Sequence, residues 1–163
     1  MRKALALLAV LFLIPSFVVG QSQRDSLAGL PGVSYALYLP TDLEQLRVSP
    51  TELGTTVELR LRESGVRVLY SKEDRQYYGF LEVSIFTYDM EDGTSVYTVG
   101  AAYHQNATLQ RFKSSPSFSV VTWQEKGVYG VANNSEIREP LKEAVKAVLE
   151  KFINDYLAAN PKR

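Results

Sequence analysis

The last part of the chain dictates a layered fold. Leu141, Val145, Val148, Phe152 and Tyr156 recur at three- and four-residue spacing, and Ile137, Ala144, Leu149 and Ile153 widen the stripe. Lys142, Glu143, Lys146, Glu150, Lys151 and Asp155 fall on the opposite side. A helix running from about Glu136 or Pro140 to Ala159 would therefore bury a face too broad for a coiled-coil seam, and such a face fits onto a β-sheet. Pro140 lacks an amide hydrogen, which puts the regular start near it. Ser135 or Asn134 is the expected cap, and Asn160-Pro161 is the stop.

The rest of the sequence supplies that sheet and a second helix. Ser34 to Leu39 alternates and ends at Pro40, as a strand does. Ser49-Pro50-Thr51-Glu52 reads as a capping box with proline at the first helical position. In that motif the Ser49 hydroxyl accepts the Glu52 amide and the Glu52 carboxylate returns to the Ser49 amide. Leu53, Val57 and Leu61 share one helix face, Gly65 is the C-terminal cap, and Val66 to Tyr70 starts a strand. Tyr78 to Asp89 is a long strand with Leu81, Val83 and Ile85 on one side and Phe80, Glu82, Ser84, Phe86 and Tyr88 on the other. Glu91 to Thr94 turns it back through Asp92-Gly93 into Ser95 to His104. Phe118 to Trp123 and Val128 to Val131 are strand-like and flank a turn or bulge at Gln124 to Gly127. The order is β-α-β-β-β-β-α. The expected fold is α+β: a two-layer sandwich in which a mixed, mostly antiparallel sheet of about five strands carries two helices on one face.

The chain opens on Arg2-Lys3, an apolar run from Ala4 to Ile14, and Phe17-Val18-Val19-Gly20. That layout is a secretory signal peptide, with Val18 and Gly20 at the positions a signal peptidase reads. Residues 1–20 are therefore expected to be removed after Gly20. Residues 21–32 are expected to form a flexible mature N-terminus, and residues 33–160 a single domain. The run is short for a membrane span and is broken by Pro15 and Ser16. The 163-residue chain has no cysteine, so neither a disulfide nor a lipidated cysteine at the cut is available. A periplasmic or secreted location in a bacterium fits that chemistry best. Basic and acidic side chains number 18 each, and loss of Arg2 and Lys3 leaves a slight acidic excess. Nucleic-acid binding, which needs a concentrated basic surface, is not expected.

The catalytic constellations are missing. His104 is the single histidine, so histidine-pair metal motifs cannot form, and there is no G-x-S-x-G elbow or phosphate loop. Asp89, Glu91 and Asp92 beside Gly93 have the wrong spacing for an EF-hand and read as a solvated hairpin. Glu73-Asp74 reads as a polar turn. The expectation is a non-enzyme with no catalytic, metal or cofactor residues. Ten tyrosines, seven phenylalanines and one tryptophan stand out instead, mostly on strands, where aromatic pairs stabilise sheets. Phe80, Phe86 and Tyr88 lie opposite the face assigned to the helices. They are the candidate partner-binding residues, for an envelope protein or a lipid. Two other readings stay open. One is a small-molecule or lipid carrier with a pocket between helices and sheet. The other is an enzyme using carboxylate or tyrosine groups.

Val121-Thr122-Trp123, Ile137-Arg138 and Lys151-Phe152-Ile153-Asn154-Asp155-Tyr156-Leu157-Ala158-Ala159-Asn160-Pro161 resemble a family of small exported bacterial proteins of unknown function. Val57-Glu58-Leu59-Arg60-Leu61-Arg62-Glu63-Ser64-Gly65-Val66 is similar to the same set. The shared motifs are packing motifs. The resemblance implies bacterial export and brings no catalytic residue with it. The element order is also similar to some envelope assembly lipoproteins with two helices on one sheet, although the anchoring cysteine is missing here.

Overall fold

The computed structural model describes residues 23–40, 48–109, 111 and 117–161. The expected signal peptide, residues 1–20, lies outside the described residues. The elements are β1 (Ser34–Tyr38), α1 (Pro50–Glu63), α2 (Lys72–Tyr78), β2 (Phe80–Asp89), β3 (Thr94–Ala107), β4 (Phe118–Asn133) and α3 (Arg138–Ala159). The sheet order is β1-β2-β3-β4, parallel between β1 and β2 and antiparallel elsewhere. The fold is α+β, with α1 and α3 stacked on one face of a mixed sheet.

The sheet has four strands rather than about five. Val66 to Tyr70 makes one parallel bridge, Val33 to Val68, and then leaves. Ser71 accepts the Asp74 amide at 2.9 Å and starts α2, which pulls the chain off the sheet edge. β4 runs unbroken through the expected turn because bulges opposite Val99–Ala101 and Tyr103–His104 absorb the irregularity.

The helix layer follows its apolar periodicity. Leu53, Val57 and Leu61 of α1, and Leu141, Val145, Val148, Leu149 and Phe152 of α3, are buried against Leu81, Val83, Ile85, Val99 and Tyr103. Phe152 is the hub. Its ring stacks on Tyr103 at 5.7 Å and meets Trp123 edge-on at 5.1 Å. Gly130 is required where β4 passes Tyr97, since a Cβ there would lie 2.3 Å from the Tyr97 ring.

Helix ends show what local sequence decides. α1 closes as expected, with Gly65 at φ 79° and bonds from Gly65 N to Arg62 O and Val66 N to Leu61 O. At its start Ser49 Oγ accepts the Glu52 amide at 3.4 Å. The Glu52 carboxylate does not return to Ser49. It turns to α3, where it meets Arg138 at 2.6 Å and Lys142 at 2.7 Å. α3 is preceded by Ile137 and has no side-chain cap; Asn133 instead accepts from Ser135.

Residues 23–32 pack onto the core and the end of α3. Leu27 and Leu30 are buried in the core. Tyr156 Oη donates to Leu30 O at 3.0 Å, and Asn160 accepts the Gly29 amide and donates to Leu27 O, both at 2.8 Å. Arg24 pairs with Asp155 at 2.9 Å, and Asp155 also accepts the Trp123 indole N–H at 3.0 Å. The same turn covers part of the outer edge of β4: Ser26 donates to Thr122 O, and the Gln124 amide donates to Gln23.

Candidate functional site

Alternation along the strands sorts the two sheet faces. Leu81, Val83 and Ile85 of β2, and Tyr97, Val99, Ala101 and Tyr103 of β3, point to the helices and are buried. The register then sets Phe86 across from Thr98 and Tyr129, and Tyr88 across from Val96 and Val131, on the opposite face. Tyr38, from the neighbouring strand, brings its ring to 5.8 Å from Phe86.

Tyr38, Phe86, Tyr88, Val96, Tyr129 and Val131 are each between 40 % and 74 % exposed. They form one patch at the end of the sheet that carries the β2–β3 hairpin. With ~200 Å² for a whole aromatic side chain, the four rings alone expose on the order of 500 Å². That is at the upper end of the largest apolar patch on a typical monomer. The patch ends at Asp89, Glu91 and Asp92. The Asp92 carboxyl is held below its ordinary value by the Thr94 hydroxyl and amide, so it stays ionised beside the aromatics.

The structure separates the three residues singled out from sequence. Phe86 and Tyr88 belong to the patch. Phe80 lies on the same face but at the far end, half-buried. Its ring stacks on His104 at 4.9 Å and carries the Arg75 guanidinium 4.1 Å above it. His104 faces Glu82 at 3.5 Å. Between the two ends the face is floored by small residues, Ala36, Ser84, Gly100 and Ala102. Sequence reasoning missed Tyr38, Tyr129, Val96 and Val131 as members of the patch. The signal for Tyr129 and Val131 is their alternation with Val128 and Gly130, which becomes useful once β3 and β4 are paired.

Other polar groups have structural work. Tyr70 and Arg62 hold the Glu58 carboxylate, each at 2.8 Å, and the Tyr35 hydroxyl lies 3.4 Å from it. Burial and the Glu58 charge raise the Tyr35 pKa. The buried Tyr103 hydroxyl, pushed well above its ordinary value by desolvation, donates to Tyr78 O at 3.1 Å. Among the described residues, no group of three or more metal-ligating side chains converges, and no helix is long and apolar enough to cross a membrane. A surface cavity of about 610 Å³ over α2 is lined by Glu73, Asp74, Gln76, Tyr77, Tyr78 and Asn106 among others.

No family model matches the chain, and no curated protein matches it. The crystal structure of a minor lipoprotein from Acinetobacter baumannii, at 2.35 Å, is similar with a TM-score of 0.36 and 10 % identity, over 78 % of this chain and 94 % of that one. A likeness of that size carries no argument about this chain's activity or partners.

Proposed function

We propose that this chain is an exported, non-enzymatic domain that docks another cell-envelope component through the aromatic end of its open sheet face. The observation that carries the reading is the asymmetry of the sheet. One face is sealed by α1 and α3, while the other leaves Tyr38, Phe86, Tyr88, Tyr129 and two valines in solvent. Desolvating such a patch supplies the apolar centre that binding interfaces need, and tyrosines supply it with little side-chain entropy to lose. The space between helices and sheet, where a carrier would hold cargo, is filled by Leu53, Val57, Leu61, Val99, Tyr103 and Phe152. Export rests on the amino-terminal layout.

The test places a photo-crosslinking residue at Tyr129, on the patch, or at Leu59, exposed on α1 in the other layer, in the producing bacterium. Tyr129 should yield a discrete adduct that Phe86→Thr with Tyr88→Thr removes, and Leu59 should not. Threonine keeps the β-propensity of the strand. Adducts of equal yield at both positions, or indifference to the double change, would overturn the docking role. Mass spectrometry of the same material should show a chain beginning at Gln21; an intact Met1 would overturn export with cleavage.

A further inference from the structure

β1 lies at the edge of the sheet, and its outer side is only begun as a pairing edge. Val33 donates to Arg67 O at 2.8 Å and accepts from Leu69 N at 3.0 Å, in a parallel step. Along a parallel pair, alternate residues turn both backbone groups to the same side. The N–H and C=O of Tyr35 and of Leu37 therefore point the way Val33 does. Among the described residues none of these four groups has a backbone partner. The chain that would have continued the pairing turns off at Ser71 into α2.

A groove of about 360 Å³ follows that edge. Ser34 to Leu37 form one wall, and Leu69 to Lys72 with Arg75 form the other. Its charge is one-sided. Lys72 and Arg75 line it, and no aspartate or glutamate does. Lys72 has no ion pair among the described residues, and Arg75 has only the Phe80 ring. Glu73 and Asp74 face the other cavity across α2, and Glu58 is held by Arg62 and Tyr70.

We propose that the outer edge of β1 is a strand-addition site for an extended peptide bearing a carboxylate. The peptide lies parallel to β1 in line with residues 67–69. It bonds to the N–H and C=O groups of Tyr35 and Leu37 and sets its carboxylate against Lys72 and Arg75. Strand addition takes affinity from main-chain bonds and selectivity from the side chains that line the groove. The site takes backbone groups of the β1 edge and uses neither Phe86 nor Tyr88, although Tyr38 of the aromatic patch follows Leu37 directly.

The test uses amide hydrogen exchange by NMR on the purified protein, with a blocked hexapeptide of alternating valine and threonine carrying one central aspartate. A copy N-methylated at every residue has no amide left to donate on either edge and cannot complete the ladder. The expected result is slowed exchange at Tyr35 and Leu37 with the first peptide and none with the second. Lys72→Glu should weaken binding by roughly two- to fivefold, the range of one exposed ion pair, and replacing the peptide aspartate by asparagine should remove that difference. No protection at millimolar peptide, protection by both peptides alike, or protection that grows with protein concentration alone would each overturn the proposal. The last outcome would assign the edge to a second copy of the chain. Loss of peptide binding with Phe86→Thr and Tyr88→Thr intact in fold would also count against it, because the two sites would then not be separate.

Discussion

Asp155 joins three parts of the molecule. One oxygen accepts the indole N–H of Trp123, which is 2 % exposed, and the other pairs with Arg24 on the amino-terminal turn. Replacing Asp155 by alanine strands a buried donor, at a cost of about 1–3 kcal/mol. It also removes a part-exposed ion pair with side chains 51 % and 29 % exposed, which contributes at most about 1 kcal/mol. The sum is about 1–4 kcal/mol, or a fall in Tm of roughly 3–14 °C for a domain of this size. Asp155→Asn keeps an acceptor for the indole and should lose less than about 1 kcal/mol, similar to Arg24→Ala. Urea denaturation of the three variants measures this ordering directly. A double-mutant cycle of Asp155→Ala with Trp123→Phe should return a coupling of about 1–2 kcal/mol. Hydrogen exchange should show the Leu27 and Leu30 segment loosening first. If Asp155→Ala costs no more than Arg24→Ala, the indole bond is not what holds the junction, and the reasoning fails.

Two further outcomes follow from close geometry. Gly130→Ala places a methyl against the Tyr97 ring and should destabilise by about 1–3 kcal/mol, and adding Tyr97→Val should recover part of that loss in the same denaturation assay. Arg138 and Lys142 hold the Glu52 carboxyl at about 2, below its ordinary 4.5. Its contribution is therefore complete above pH ~4.5 and fades as pH falls toward 2. Glu52→Gln should flatten the acid limb of stability in that window and leave the slope near neutrality unchanged.

The parts of the fold legible in the sequence are those set by repeated local patterns. The stripe on α3, the Leu53-Val57-Leu61 face and the alternation of β2 and β3 all specify burial by period alone. α2 escaped notice because KEDRQYY buries nothing, so no apolar period marks it; its sign is the Ser71 cap three residues before Asp74. The Val66 to Tyr70 strand was apolar enough, yet that cap ends it after one bridge. Leu27 and Leu30 sit among polar and glycine residues, and only the partners they meet, more than a hundred residues away, reveal them as core. The same limit applies to the candidate site. Phe86 and Tyr88 could be placed on the outer face from their own strand. The neighbours that make them a patch, Tyr38 and Tyr129, depend on pairings between strands. Phe80 shares their parity, but Arg75 and His104 cover it, and both come from outside its own strand.

The clasp between residues 24–30 and the far end of α3 has a consequence for when this protein can fold. Asn160 and Tyr156 hold backbone groups 126 to 133 positions earlier. Such closure cannot occur before α3 is present, because the second half of the clasp arrives last. Closing so large a loop is slow compared with local contacts. Native closure thus waits on α3, the last element of the fold to be made.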